Sequence, residues 1–296
     1  MTVENRCVVV GVDFSEASRA ALDHAIPLAV KLDAELLLFH AWNPTGWGMG
    51  RETPEAAAAW LNAARESTEA KLERWAETTR EAGARAASRL EAGAASRLLG
   101  EAARRHRAEL MVVGRKGHAG LAHVLLGSVS ERVVSLAPCP VLVVPEQTET
   151  AEPPERLLVG IDFSNTSRKA LDAALRLASA LETSRGLLLV HACPGERELW
   201  LQNWSELVYR GERRDDRAEL ESWSEPARRS GLPVEAEATE GQAEALLIEA
   251  ARRGGCGWIV LGVHGRSALA ARLIGSTTDR VLKLADRPVL AVPPPQ

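Results

Sequence analysis

The chain has 296 residues, enough for two domains of ordinary size, with a globular balance of 46% hydrophobic and 26% charged residues. Its formal charge of −4 divides evenly: 17 Lys+Arg stand against 19 Asp+Glu up to residue 150, and 19 against 21 beyond it. Neither half is basic, which argues against nucleic-acid binding as the main function. The cysteines Cys7, Cys139, Cys193 and Cys256 form no C-x-x-C pair, so buried thiols of a reducing cytosol are expected rather than a zinc site or a disulfide framework.

In chain order, Cys7–Val12 is a continuous β-branched run, as in a strand buried on both faces. Ser15 stands at a helix N-cap position, and apolar residues recur at helical spacing to Leu32, with Pro27 a candidate kink. Glu35–Ala41 is the second strand, and a Gly/Pro/Trp-rich loop leads to a long helix from Pro54 to Glu81. Arg85–Glu91 is the third strand, Ala94–Arg107 a helix and Glu109–Gly114 the fourth strand. A glycine-punctuated loop, a helix from Ser128 and a strand at Val141–Val144 complete the series. The same order returns with strands near Leu157–Asp162, Gly186–His191, Pro233–Ala238, Trp258–Gly262 and Val289–Val292. Alternating strand and helix implies parallel sheets covered on both faces.

The chain therefore repeats itself. Val10-Gly-Val-Asp-Phe-Ser15 returns as Val159-Gly-Ile-Asp-Phe-Ser164, and Pro140-Val-Leu-Val-Val-Pro145 as Pro288-Val-Leu-Ala-Val-Pro293. Residues 1–147 and 155–296 read as two copies of one domain, joined by an acidic, Pro-containing linker. No stretch approaches the ~20 apolar residues of a membrane span, and the first residues lack a signal-peptide pattern. A cytoplasmic protein with no membrane partner is expected.

The chemistry is concentrated in two loops. Gly114-Arg-Lys-Gly117, nine residues, then Gly127-Ser128 is matched by Gly262-Val-His-Gly265, nine residues, then Gly275-Ser276. Each follows an apolar strand and ends where a helix begins. Glycine lets backbone approach a ligand, and a helix N-terminus offers N–H groups and partial positive charge, so the pattern suits phosphate. Asp13 and Asp162 end the first strand of each copy, where a carboxylate either caps the next helix or accepts from a ligand's hydroxyl or amine. His40 and His191 follow buried strands and are expected to bond backbone. Arg115 and Lys116 face phosphate or solvent, His118 and His123 lie in the loop, and the tryptophans, among them Trp42, Trp47, Trp60, Trp200 and Trp204, are expected under the long helices. No His/Asp/Glu group has convincing metal-ligand spacing along the sequence.

Gly-x2-Gly-x9-Gly-Ser, together with Val-Asp-Phe-Ser and Pro-Val-Leu-x-Val-Pro, resembles the ATP-binding branch of the universal stress protein family, twice, over essentially the whole chain. The resemblance implies an α/β fold of two tandem five-stranded parallel-sheet domains. These would be Rossmann-like or flavodoxin-like, akin to the adenine nucleotide alpha hydrolases, and would form an intramolecular pseudo-dimer. It implies ATP or ADP between strands one and four of each copy, with Mg2+ held through the phosphates. Asp13 and Asp162 would line the adenosine end, and Ala41 and Ala192 would meet the adenine through their backbone. Gly114, Gly117, Gly127 and Ser128, with Gly262, Gly265, Gly275 and Ser276, would hold ribose and phosphates. A homodimer of tandem chains and an unidentified protein partner are further implications.

Two other functions stay open at this point. One is a stress protein that carries no nucleotide and acts by dimerisation or through another ligand. The other is an ATP-using hydrolase or adenylating enzyme. Against an enzyme stand Asp13-Phe-Ser-Glu16 in place of a Ser-Gly-Gly pyrophosphate loop and the lack of a Gly-x4-Gly-Lys-Ser/Thr motif. No catalytic residue is assigned, and at most slow hydrolysis is expected.

Overall fold

The computed structural model describes residues 6–43, 53–117, 126–148, 150–193, 216–265 and 274–294. The chain divides into two compact units, Met1–Glu152 and Pro153–Gln296. The first runs β1 (Cys7–Gly11), α1 (Glu16–Leu32), β2 (Glu35–Trp42), α2 (Pro54–Glu81), β3 (Arg85–Ala92), α3 (Ala95–Arg105), β4 (Leu110–Gly114), α4 (Ser128–Leu136) and β5 (Val141–Val144). The second runs β6 (Arg156–Ile161), α5 (Asn165–Leu181), β7 (Gly186–Cys193), α6 (Asp216–Arg229), β8 (Val234–Glu240), α7 (Ala243–Arg253), β9 (Trp258–Gly262), α8 (Ser276–Leu284) and β10 (Val289–Val292).

In the first unit the strands lie in the order β3-β2-β1-β4-β5, all parallel. In the second they lie in the order β8-β7-β6-β9-β10, again all parallel. This is the Rossmann-like order. The chain leaves β1 in one direction for β2 and β3 and returns to β1's other side for β4. The strand order therefore reverses between β1 and β4, and between β6 and β9, and the carboxyl ends there frame a crevice.

The central strands are apolar because helices cover both faces. Val8, Val9 and Val10 of β1 are fully buried, as are Leu157, Leu158 and Val159 of β6. Helices α1 and α5 start alike. Ser15 and Ser164 are the N-caps, each accepting from the amide three residues on. Both helices end on a left-handed residue, Asp33 or Glu182. Helix α1 runs through Pro27 to Leu32. No helix among the described residues is long and apolar enough to cross a membrane.

Two expectations change. Trp60 lies on α2 but is 40% exposed, so it does not pack beneath that helix. Cys193 is half-buried, unlike the buried Cys7, Cys139 and Cys256, because it closes β7 at the sheet's rim. His118, His123, Trp47, Trp200 and Trp204 lie outside the described residues.

Candidate functional site

The turn after the first strand has the same backbone in both units. Phe14 and Phe163 take left-handed backbone angles, φ 64° and 61°, which cost an L-residue roughly 1–2 kcal/mol. Local bonds hold the turn. Oδ1 of Asp13 accepts from the Ser15 amide at 3.0 Å and from its hydroxyl, and Oδ1 of Asp162 accepts from the Ser164 amide at 3.0 Å. The serines therefore cap the helices while the aspartates brace the serines.

The other carboxylate oxygen faces the glycine loop. A Cβ on Gly117 would drive into Oδ2 of Asp13, and one on Gly265 would stand 3.0 Å from Oδ2 of Asp162. A side chain at Gly117 would have to displace the Asp13 carboxylate, and one at Gly265 would press on that of Asp162.

Behind each turn, histidine, phenylalanine and tryptophan form a stack. Nδ1 of His40 donates to the Val12 carbonyl at 2.6 Å, and Nδ1 of His191 to the Ile161 carbonyl at 2.7 Å. Phe14 lies 4.8 Å from the His40 ring and 5.5 Å, edge-on, from Trp75. Phe163 lies 4.4 Å from His191 and 5.6 Å from Trp223. Both histidines bond backbone, as the sequence suggested. Burial holds His40 below the ordinary imidazole range, partly countered by the Val12 carbonyl and Asp13. Trp75 and Trp223 were not singled out from sequence. Their signal was matching placement on the long helices.

The glycine loops close on themselves. The Gly127 amide donates to the Arg115 carbonyl at 2.9 Å, and the Gly275 amide to the Val263 carbonyl at 2.7 Å. A Cβ on Gly127 would stand 3.3 Å from the Arg115 carbonyl oxygen, and one on Gly275 would stand 3.3 Å from both the Gly265 nitrogen and the Val263 oxygen. Gly127 and Gly275 are N-caps of α4 and α8, and no side chain caps either helix. The first-turn N–H groups thus face the crevice with the helix dipole behind them, an arrangement that suits an anion. The third helical residue locks the strand end: the Ser130 hydroxyl donates to the Gly114 carbonyl and the Thr278 hydroxyl to the Gly262 carbonyl, both at 2.7 Å.

In the second unit these parts enclose an open cavity of about 230 Å3. Asp162, Ala192, Gly262, Gly265, Gly275 and Ser276 all line it. Val190, Ala243, Leu247 and Leu261 supply an apolar wall, and His264 and Thr277 add polar groups that sequence reasoning did not assign there. Thr277 could have been found as the hydroxyl directly after the Gly-Ser pair. In the first unit, Asp13 and Gly117 meet directly, Gly127 packs on Arg115 to Gly117, and Gly114 packs on Ala17. Ala41 lies on β2 and Ser128 opens α4.

The Universal stress protein family matches residues 4–145 and again residues 154–293. The chain belongs to the universal stress protein family. A universal stress protein of Mycolicibacterium smegmatis is 30% identical over 292 residues, covering 97% of each chain. Another, from Mycobacterium tuberculosis strain H37Rv, is 32% identical over 186 residues, 62% of this chain and 61% of that one. Among solved structures, a universal stress protein from Archaeoglobus fulgidus superposes over 99% of both chains with a TM-score of 0.74 at 20% identity, a likeness of fold. A universal stress protein solved in complex with cAMP covers 48% of this chain and 98% of its own, at 30% identity and a TM-score of 0.37. This universal stress protein is thus a tandem-domain member, with two α/β units of the family fold.

Proposed function

We propose that this universal stress protein binds ATP or ADP in each unit and acts as a nucleotide-dependent stress-response module, with at most slow hydrolysis. One observation carries the proposal: the six positions singled out in the second copy line a single cavity at the sheet's reversal point. Its furnishings suit the parts of a nucleotide. The uncapped start of α8, with the Gly275 backbone and the Ser276 hydroxyl, suits phosphates. Asp162, beside Gly265, would repel phosphates and suits ribose hydroxyls or an exocyclic amine. The apolar wall beside Ala192 suits a flat base. Asp13, Ala41, Gly114, Gly117, Gly127 and Ser128 take the same roles in the first unit.

The bound nucleotide would supply a charged, exchangeable ligand whose phosphates carry Mg2+ with water. The chain's own part is to bind and orient it; no residue is assigned as a base, and the serines at the helix starts donate rather than attack. A cytoplasmic location accords with four free thiols. Homodimerisation of the tandem chain is a further part of this reading, and sedimentation would test it.

The deciding experiment measures nucleotide released on denaturing the purified protein and ATP binding to Gly127→Val, Gly275→Val and the double variant. Each single variant should lose about one of two nucleotides, because a branched side chain fills the cradle. A wild-type protein that neither carries nor binds nucleotide would overturn the proposal and favour action through dimerisation or another ligand.

A further inference from the structure

The face of β7 turned away from the nucleotide cavity carries a second constellation, independent of the nucleotide proposal. Side chains alternate along a strand, so His191 and Cys193 project together while Ala192, between them, lines the cavity on the other side. Asp216 opens α6 across from them. One nitrogen, one sulfur and one carboxylate oxygen of these residues lie within 4.8 Å of one another, the one group of three or more such residues so arranged among the described residues. Nε2 of His191 stands 3.7 Å from Oδ2 of Asp216, too far for a hydrogen bond.

We propose that His191, Cys193 and Asp216 form a binding site for a zinc-class divalent cation. Three features carry it. The Nδ1–H of His191 is committed to the Ile161 carbonyl at 2.7 Å, which leaves Nε2 as the lone-pair nitrogen and points it at the other two residues. Ligating histidines are ordinarily oriented by such a backbone bond. The ring is also clamped against Phe163, so it is held before any metal arrives.

Spacing is the second feature. Around tetrahedral zinc, with bonds of roughly 2.0–2.3 Å, neighbouring ligand atoms stand about 3.3–3.8 Å apart. The His–Asp separation of 3.7 Å already fits, and the Asp216 carboxylate already accepts from the Cys193 thiol, whose proton a metal would replace. The third feature is chemistry. Imidazole and thiol select zinc, cobalt or copper over magnesium or calcium, and three protein ligands leave a fourth position for water. Cys193 is half-buried, so a cation can reach it from solvent. On binding, the S–H bond breaks, sulfur bonds the metal and the proton leaves to solvent.

The first unit is a built-in control. His40 has the same bond to backbone and the same phenylalanine contact, but Trp42 stands where the second unit has Cys193. The histidine and its brace are common to both units, and the cysteine and the gathered aspartate belong to the second.

The test is titration of the full chain with Co2+ under reducing conditions that spare the metal. One equivalent should produce four-coordinate ligand-field bands and a thiolate-to-cobalt charge-transfer band, which cobalt on nucleotide phosphates cannot give. Cys193→Ser should abolish that band. Asp216→Asn should weaken Zn2+ binding at least about tenfold in competition with a chromophoric chelator, a floor set by the loss of an outer-sphere partner. Zn2+ should also protect Cys193 from alkylation. Both variants sit at the rim, and circular dichroism checks their fold. A wild type without the charge-transfer band, a band surviving in Cys193→Ser, or unchanged Zn2+ affinity in Asp216→Asn would each overturn the proposal.

Discussion

The two glycine loops share a frame and differ in what fastens it. In the first unit Gly114 presses on Ala17; in the second Gly262 faces Thr166. The Thr166 hydroxyl bonds the His264 carbonyl and sits 2.9 Å from the Ser164 hydroxyl, so a hydroxyl ties α5 to the loop at the position where α1 carries Ala17. Thr277 lines the second cavity, while its counterpart Val129 offers no hydroxyl. Phe39 pairs with Gly11 in the first sheet where Val190 pairs with Gly160 in the second, a bulkier wall beside the equivalent crevice. What stayed alike is what backbone sterics demand: the aspartate-braced turn, the bare glycines and the uncapped helix starts. What diverged are side chains that furnish the crevice. The lesson is that backbone sterics hold the frame, while the side chains that line the crevice are free to vary.

The comparison can be broken first where each loop's leading glycine meets a helix. In Gly114→Ala the new methyl would stand 2.6 Å from the Ala17 carbonyl, against 2.9 Å from the Thr166 carbonyl carbon in Gly262→Ala. Overpacking should cost about 3 kcal/mol in the first and about 1 kcal/mol in the second. Hydrogen exchange of β1 and β6 peptides in the full chain separates the units; equal losses would show that the fit of strand on helix is the same in both.

Thr166→Ala converts the second fastening into the first. It should cost about 1 kcal/mol and speed exchange at residues 262–265 several-fold while leaving 114–117 unchanged. No change at 262–265 would mean the hydroxyl does not hold the loop. Ser15→Ala and Ser164→Ala should each cost about 1 kcal/mol through the lost cap, which bonds alike at 3.2 Å and 3.1 Å, although the Ser15 hydroxyl also donates to Asp13 while the Ser164 hydroxyl meets Thr166. Unequal thermal shifts would show that these second partners, and not the caps, set the cost.

A gradual effect involves acid. Burial holds His24 and His40, both in the first unit, below their ordinary value of 6.5. Asp13 opposes and Lys71 reinforces the shift at His40, and Asp23 opposes it at His24. Folded imidazoles that bind protons more weakly than unfolded ones give full stability above pH 6.5, lost progressively as pH falls below it toward the lowered folded values. Exchange in α1 and β2, corrected for intrinsic rate, should therefore rise between about pH 7 and about pH 5.5. His24→Leu should remove part of that rise, and a flat profile in the wild type would refute it.

Much of this was legible beforehand. Helix α2 and strands β5, β9 and β10 have the bounds their residue patterns announced, and β1 to β4 differ at their ends by one residue or less. Those patterns are local: branched runs, helical spacing and caps act between near neighbours in the chain. The glycine spacing was equally plain, because duplication printed it twice.

The sequence by itself determined the element order, the repeat and the candidate phosphate loops, since each depends on residues a few positions apart. Only the tertiary structure decided that β1 lies between β2 and β4, that Asp13 faces Gly117, that Trp75 and Trp223 stack on Phe14 and Phe163, and that Asp216 meets His191 and Cys193. Those neighbours are tens of residues apart, and what brings them together is the burial of two faces of a sheet, a choice made by the whole unit at once.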